Sequence, residues 1–238
     1  MICGKALQPR SVTFLALLSL LCPILLPTHA FLHTCRLSSP HARSFAVNSI
    51  STSASLRENQ DEKYMALALI EAQAAFAAKE VPVGAVLVSS EGQVLATGRN
   101  RVEATGDASA HAELECLRAA ALGAARHGQG KWRMLNCTLY VTLEPCLMCL
   151  GAVQSFRVQR VVYGARSTLL GAIESYVKVL EQAPHPFHST LEVKGGVHAA
   201  QCGDLMKRFF AERRLESERM ATKVREAQRE EKRFDTVT

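Results

Sequence analysis

The 238-residue sequence predicts an α/β fold with one mixed, five-stranded sheet covered by helices on both faces. Three observations lead there. Short apolar runs bounded by turn residues alternate with longer helical patterns across residues 61–214. The first two strand-like runs are separated only by a turn at Glu91-Gly92, a hairpin that makes the sheet mixed rather than purely parallel. No internal repeat or linker marks a second domain, and this length suits one domain with appendages.

Taken in order, Asp61 to Lys79 carries Met65, Leu67, Ala68, Leu69, Ala72, Ala75 and Phe76 at helical spacing, with acids at its start and Pro82 beyond its end. Val83 to Val88 reads as a buried central strand, and Gln93 to Arg99 as its hairpin partner. A helix is expected from Ala110 to His127, broken by Gly128-Gln-Gly130. Asn136 to Leu143 is a third strand, Cys146 to Phe156 a helix, and Val158 to Tyr163 a fourth strand. A helix from about Ala172 to Glu181 and a short strand, Leu191 to Lys194, follow. The last helix starts near Ala199. Its stripe Leu205, Met206, Phe209 and Phe210 is core-like, whereas residues 215–238 mix charges of both signs and read as an exposed, frayed helical tail.

The formal charge of +6 is mostly a property of the N-terminus. No acid precedes Glu58, while Lys5, Arg10, Arg36, Arg43 and Arg57 are basic; without residues 1–57, 23 basic residues face 22 acidic ones. Lys5 and Arg10, the apolar run Phe14 to Leu26 and small residues at Thr28-His-Ala30 make 1–30 a signal peptide. That run is short and broken by Pro23, so it is no membrane span, and no stable membrane association is expected of the mature chain. Residues 31–57 are Ser/Thr/Arg-rich and acid-free, like a transit peptide. The pair, with Phe31 directly after the cleavage site, resembles bipartite leaders of plastid proteins; secretion is the alternative. Of the eight cysteines, three lie in this leader, and Cys116, Cys137 and Cys202 are unpatterned, which argues against a disulfide framework.

The chemistry gathers at His111-Ala-Glu113 and Pro145-Cys-Leu-Met-Cys149. Two thiolates and an imidazole suit zinc, and a three-ligand set leaves a fourth position open, as catalytic rather than structural sites do. Cys116, five residues beyond His111, turns away from the His111 face. Pro145 suits a first helical turn, after which Cys146 and Cys149 share one face of the helix. The two thiolates cancel the zinc charge and weaken its acidifying effect on water, so a base beside it is useful. Glu113 is that base on this reading.

The pattern resembles the zinc nucleobase deaminases, with their H-x-E and P-C-x-x-C signature. Glu80-Val-Pro-Val-Gly-Ala-Val-Leu-Val88, Gly98-Arg-Asn-Arg101, Leu139-Tyr-Val-Thr-Leu-Glu-Pro-Cys146, Arg160-Val-Val-Tyr-Gly-Ala165 and Phe209-Phe-Ala-Glu-Arg-Arg214 resemble the bacterial TadA-type tRNA adenosine deaminases. The resemblance runs from about Tyr64 to Arg214 and implies a three-layer α/β/α cytidine-deaminase-like fold in a homodimer. It also implies one Zn2+ per subunit on His111, Cys146 and Cys149, which activates water toward C6 of adenine while Glu113 carries the proton.

By the same resemblance Asn100, the Ala112 backbone and Val83 hold the base, and Phe210, Arg213 and Arg214 approach RNA. Asn100 also reads as a plain turn residue, and Phe209 as core. The implied substrate is the wobble adenosine (position 34) of a tRNA anticodon loop, in a plastid arginine tRNA, because a stacked base cannot reach such a pocket. Ser167-Thr-Leu169 replaces the family's acid and Lys, and Ala183 to Thr190 departs from its loop. Two alternatives stand beside this. One is a deaminase of a free base, nucleoside or pterin-like metabolite; the other is a non-catalytic RNA-binding partner subunit, against which Glu113 speaks.

Overall fold

A computed structural model describes residues 41–126, 132–182, 185–186, 188 and 190–235. The described elements are α1 (His41–Ala77), β1 (Gly84–Val88), β2 (Val94–Arg99), α2 (Val102–Thr105), α3 (Ala112–Arg126), β3 (Thr138–Leu143), α4 (Leu147–Ser155), β4 (Arg160–Ala165), α5 (Val179–Gln182), β5 (Glu192–Lys194) and α6 (Ala199–Asp235). The sheet runs β2-β1-β3-β4-β5. Strand β1 is antiparallel to both β2 and β3, whereas β3, β4 and β5 are mutually parallel. The expected mixed five-stranded sheet is thus present, with each expected strand in its place.

Period-two alternation along the strands builds two separate cores. Ala85, Leu87, Leu139, Val141, Val161 and Tyr163 face Cys116 and Leu117 of α3 and Leu150 and Val153 of α4. Val86, Val88, Tyr140 and Val162 face Tyr64, Met65 and Ala68 of α1 and Cys202 of α6. The register Val86–Tyr140–Val162 carries this second face straight across the sheet. Helix α3 lies so close to β2 that a Cβ on Gly98 would meet the Ala112 carbonyl oxygen and the Cys116 nitrogen at 2.5 Å. That contact seats the start of α3 at the sheet edge.

Three expectations need correction. Helix α1 reaches back to His41 rather than starting at Asp61. It closes at Ala77 through Lys79 in the left-handed region (φ 62°), before Pro82 is reached. The helix expected over Ala172 to Glu181 is reduced to α5, because the amides of Ile173, Glu174 and Ser175 are taken by the Glu144 carboxylate instead of by helical carbonyls. Residues 215–229 are exposed as expected, yet α6 continues to Asp235 rather than fraying beyond Arg214, with 236–238 outside the described residues. A four-residue helix, α2, had no sequence signal. Residues 1–40, which hold the signal segment and the start of the transit-like stretch, lie outside the described residues, as do 127–131 and parts of 183–190. Among the described residues, no helix is long and apolar enough to cross a membrane.

One charged cluster pins α1 to the end of the sheet. Asp61 is 1% exposed and receives Arg160 through two hydrogen bonds (2.7 and 2.9 Å), Lys194 at 3.0 Å and the Tyr140 hydroxyl at 3.1 Å. Burial would raise its pKa, but the hydrogen bonds and charges of Arg160 and Lys194 outweigh that and hold it below 3.8. A depressed folded-state pKa stabilises the fold above the unfolded-state value, and the contribution is lost as pH falls through the folded-state value. Stability should therefore drop on the acid side, below about pH 4. Asp61→Asn should cost about 3 kcal/mol at neutral pH, because Arg160 and Lys194 lose their counter-charge. Urea unfolding of both proteins from pH 3 to 7 checks this; equal stability at pH 7 would contradict the clamp.

Candidate metal and active site

The site forms where two helices begin beside the sheet. Arg101 donates to the Ala110 carbonyl at 3.0 Å, which ties the end of β2 to the approach of α3. Glu80, buried, accepts from the Glu103 and Ala104 amides and so holds α2 below that approach. The first amide of α3, at Ala112, has no helical partner of its own and donates to the Asn100 amide oxygen at 3.1 Å. Asn100 in turn donates its backbone N–H to the Val83 carbonyl. The three residues expected to hold the base are thereby linked in one chain of hydrogen bonds next to His111. The Ala112 N–H is already spent on Asn100.

Cys146 is the N-cap of α4, with extended backbone (φ −76°, ψ 174°) and no hydrogen bond from its side chain to the helix. Its sulfur is free to face elsewhere. Pro145 therefore precedes the cap instead of occupying the first turn, because the extended geometry of Cys146 starts the helix one residue later. Cys149, in that turn, is fully buried. His111 Nδ1 lies 3.8 Å from Cys146 Sγ and 3.5 Å from Cys149 Sγ. All three donor atoms fall within 4.8 Å of one another, the one such group of three among the described residues. Tetrahedral zinc, with Zn–S near 2.3 Å and Zn–N near 2.0 Å, requires N···S separations of roughly 3.5 Å. The donor set and its spacing fit that ion.

The three side chains are also coupled electrostatically through the same hydrogen bonds. A hydrogen bond from Cys149, helped by His111 and opposed by burial, lowers the Cys146 thiol to about 4. Cys149, as the donor in that bond and a buried group, is raised, while His111 is raised chiefly by its bond to Cys146. Glu113, in the first turn of α3, is 4% exposed, and burial pushes its carboxyl up to about 7. No Lys or Arg ion pair to it is found among the described residues.

Sequence reasoning missed Glu144, quoted in a motif but given no role. Its buried carboxylate accepts from the amides of Ser167 (3.1 Å), Ile173 (3.2 Å), Glu174 (2.8 Å) and Ser175 (3.0 Å), and from the Ser175 hydroxyl. A Cβ on Gly171 would lie 2.4 Å from that carboxylate, so the loop closes around it only with glycine there. The same loop pairs with Cys146 through Gly171 and donates Ala172 N–H to the Pro145 carbonyl at 2.9 Å. Two residues from a ligand, an acid ties loop 166–176 to the metal group.

The expected RNA-contact residues are elsewhere, on α6, which packs on the opposite face of the sheet from α3 and α4. Phe210 is 44% exposed, and Arg213 and Arg214 are exposed. Phe209 is core, packed edge-on against Phe76 with ring centres 5.7 Å apart.

Residues 58–165 match the family model of the cytidine and deoxycytidylate deaminase zinc-binding region. A tRNA-specific adenosine deaminase of Haemophilus influenzae is 42% identical over 163 residues, which is 68% of this chain and 90% of that protein. The chain belongs to this deaminase family, in its tRNA adenosine deaminase branch. A chloroplastic tRNA(adenine(34)) deaminase of Arabidopsis thaliana is 40% identical over 168 residues, 65% of this chain but only 12% of that much longer protein. Among solved structures, a protein from a study of A-to-I editing by tRNA:A34 deaminases is 38% identical, with a TM-score of 0.54 over 60% of this chain and 98% of that one. A guanine deaminase from Nitrosomonas europaea is similar at 25% identity and a TM-score of 0.52, over 63% and 84%.

If Glu144 latches the loop, Glu144→Ala should raise amide exchange at Ser167, Ile173, Glu174 and Ser175 by about tenfold or more. The amides of β3 should stay protected. Hydrogen–deuterium exchange reads both; uniform protection in the variant would show that the loop holds without it.

Proposed function

We propose that this chain is a zinc-dependent hydrolytic deaminase that converts adenosine to inosine at the wobble position of a tRNA anticodon loop, acting as a homodimer inside a plastid on its arginine tRNA. The observation that carries the chemistry is the His111–Cys146–Cys149 group beside a buried Glu113. Support for the substrate is the 42% identity to the bacterial enzyme across 90% of its length. His111 Nδ1, Cys146 Sγ and Cys149 Sγ would hold zinc, which when bound would supply an activated water. Glu113 takes a proton from that water, delivers it to the ring nitrogen of adenine, and passes a second proton to the departing amine. Water and adenosine are consumed, and inosine and ammonia result. Asn100, locked between Val83 and Ala112, orients the base, and Val83 walls the pocket. The target nucleotide must leave its stack to enter. Phe210, Arg213 and Arg214 then hold the RNA from α6.

The guanine deaminase likeness keeps one second reading in play, a deaminase of a free purine. If RNA contacts orient the base, an anticodon stem-loop should be converted on the order of a thousandfold faster than adenosine. Comparable rates would favour the free-metabolite reading. In the same assay Glu113→Ala should lose activity while keeping about one zinc per chain, and Cys149→Ala should lose the metal, as elemental analysis will show.

The division of the chain into a signal peptide (1–30), a transit-like leader (31–57), a deaminase domain (61–214) and a charged tail (215–238) belongs to the same proposal, supported by the acid-free leader and the chloroplastic relative. Residues 1–57 fused to a fluorescent protein should deliver it to plastids. Secretion or a diffuse cytosolic signal would reject that.

A further inference from the structure

The loop between β4 and α5 carries two leucines out into water beside the metal group. Leu169 is 79% exposed and Leu170 62%. Single exposed apolar residues are ordinary on any surface. An adjacent pair at the tip of a fastened loop is not random scatter, because the fastening denies both side chains a retreat to the core. On one side Ser167 N–H is held by Glu144, and the Gly171 amide donates to the Ser167 carbonyl at 2.8 Å. On the other, Tyr176 and Val177 both donate to the Gly171 carbonyl at 3.0 Å. The pairing of Gly171 with Cys146 then sets the tip next to a metal ligand. Leu147 and Met148, between the two cysteines, add further exposed apolar surface.

The tip is also without free charge. Ser167, Thr168, Leu169 and Leu170 have no ionisable group, and the guanidinium of Arg166 is turned back onto Glu174. The apolar surface of the two leucines has nothing to offer a phosphate, unlike the hydroxyls of Ser167 and Thr168. It matches the flat, apolar face of an unpaired base. Apolar side chains that enter between bases unstack them, which is what a site for one extruded nucleotide requires.

We propose that Leu169 and Leu170 are a wedge that packs against the bases flanking the target adenosine and keeps that nucleotide splayed into the site. The inference rests on the RNA-deaminase reading above. Glu144 gives the wedge its place, because it fixes the loop from which the leucines project.

The test uses the double variant Leu169→Ser/Leu170→Ser and the single variant Leu169→Gln, with an anticodon stem-loop carrying 2-aminopurine immediately 3′ of the target adenosine. On binding the wild-type protein, the probe should brighten as it leaves its stack. The double variant should lose that rise and bind about tenfold more weakly, and the single variant should show a smaller loss of the same kind. Zinc content should be unchanged. The slope of log affinity against log salt should also match the wild type, since the wedge touches bases and not phosphates. Unchanged affinity with unchanged fluorescence would overturn the wedge while leaving the deaminase reading intact. So would a changed salt slope, or a variant that sediments as monomer where the wild type is a dimer, which would give this surface to a second copy of the chain. Failure of the wild type to convert the stem-loop would instead remove the RNA reading, and the wedge with it.

Discussion

A carboxylate taken out of water is costly unless its oxygens are given donors in return. Glu144 receives five, all from one loop: four backbone amides and the Ser175 hydroxyl. Those bonds outweigh the effect of burial and hold its pKa below the usual value. The loop's own backbone bonds converge on Gly171, and the carboxylate takes up the amides on either side of it, at Ser167 and at Ile173 to Ser175. Glu144 sits just past the end of β3, two residues before Cys146, and the sheet therefore dictates the position of both the ligand and the rim above it.

The second half of the site is held by a different device with the same logic. Helix α3 starts against β2 because Gly98 lets the backbones approach, and its first amide is satisfied by Asn100 rather than by a capping side chain at its own N-terminus. His111 then stands immediately before the helix, and Glu113 falls in its first turn. Cys146 and Cys149 occupy the equivalent places at the start of α4. Both helix N-termini bring positive dipole ends toward this group; Cys146 alone is shifted toward its anion, while burial holds Glu113 toward its neutral form.

The strands and the pairing of the two cysteines were legible in the sequence because each rests on local signals: a short apolar run for β1, a turn at Glu91-Gly92 before β2, and cysteines three positions apart at the start of one helix. Loop 166–176 was not, because its conformation depends on Glu144, more than twenty residues earlier, and periodicity over Ala172 to Glu181 mimicked a helix that cannot form once three of its amides are claimed. Asp61 was read only as an acid at a helix start. Its partners Arg160 and Lys194 lie 99 and 133 positions away, on the neighbouring strands β4 and β5, so the pairing leaves no mark on the residues around Asp61. Phe209 and Phe210 illustrate a finer failure. Adjacent aromatics on one helix look alike in sequence, yet only Phe209 points at Phe76.

The burial of Glu113 bears on the choice between an enzyme and a non-catalytic partner on the same fold. A carboxyl at 4% exposure with no Lys or Arg paired to it among the described residues is costly to the fold. Packing offers no reason for it, since Gln or Ala would fill the first turn of α3 at lower cost. The first amide of the helix is served by Asn100 and not by Glu113. Glu113 stands two residues from His111, whose charge favours the carboxylate, and is hydrogen-bonded to the Cys149 side chain and to its own backbone amide. The proposed role in proton transfer gives such an acid a use at the start of α3, and a non-catalytic partner subunit would have none for it.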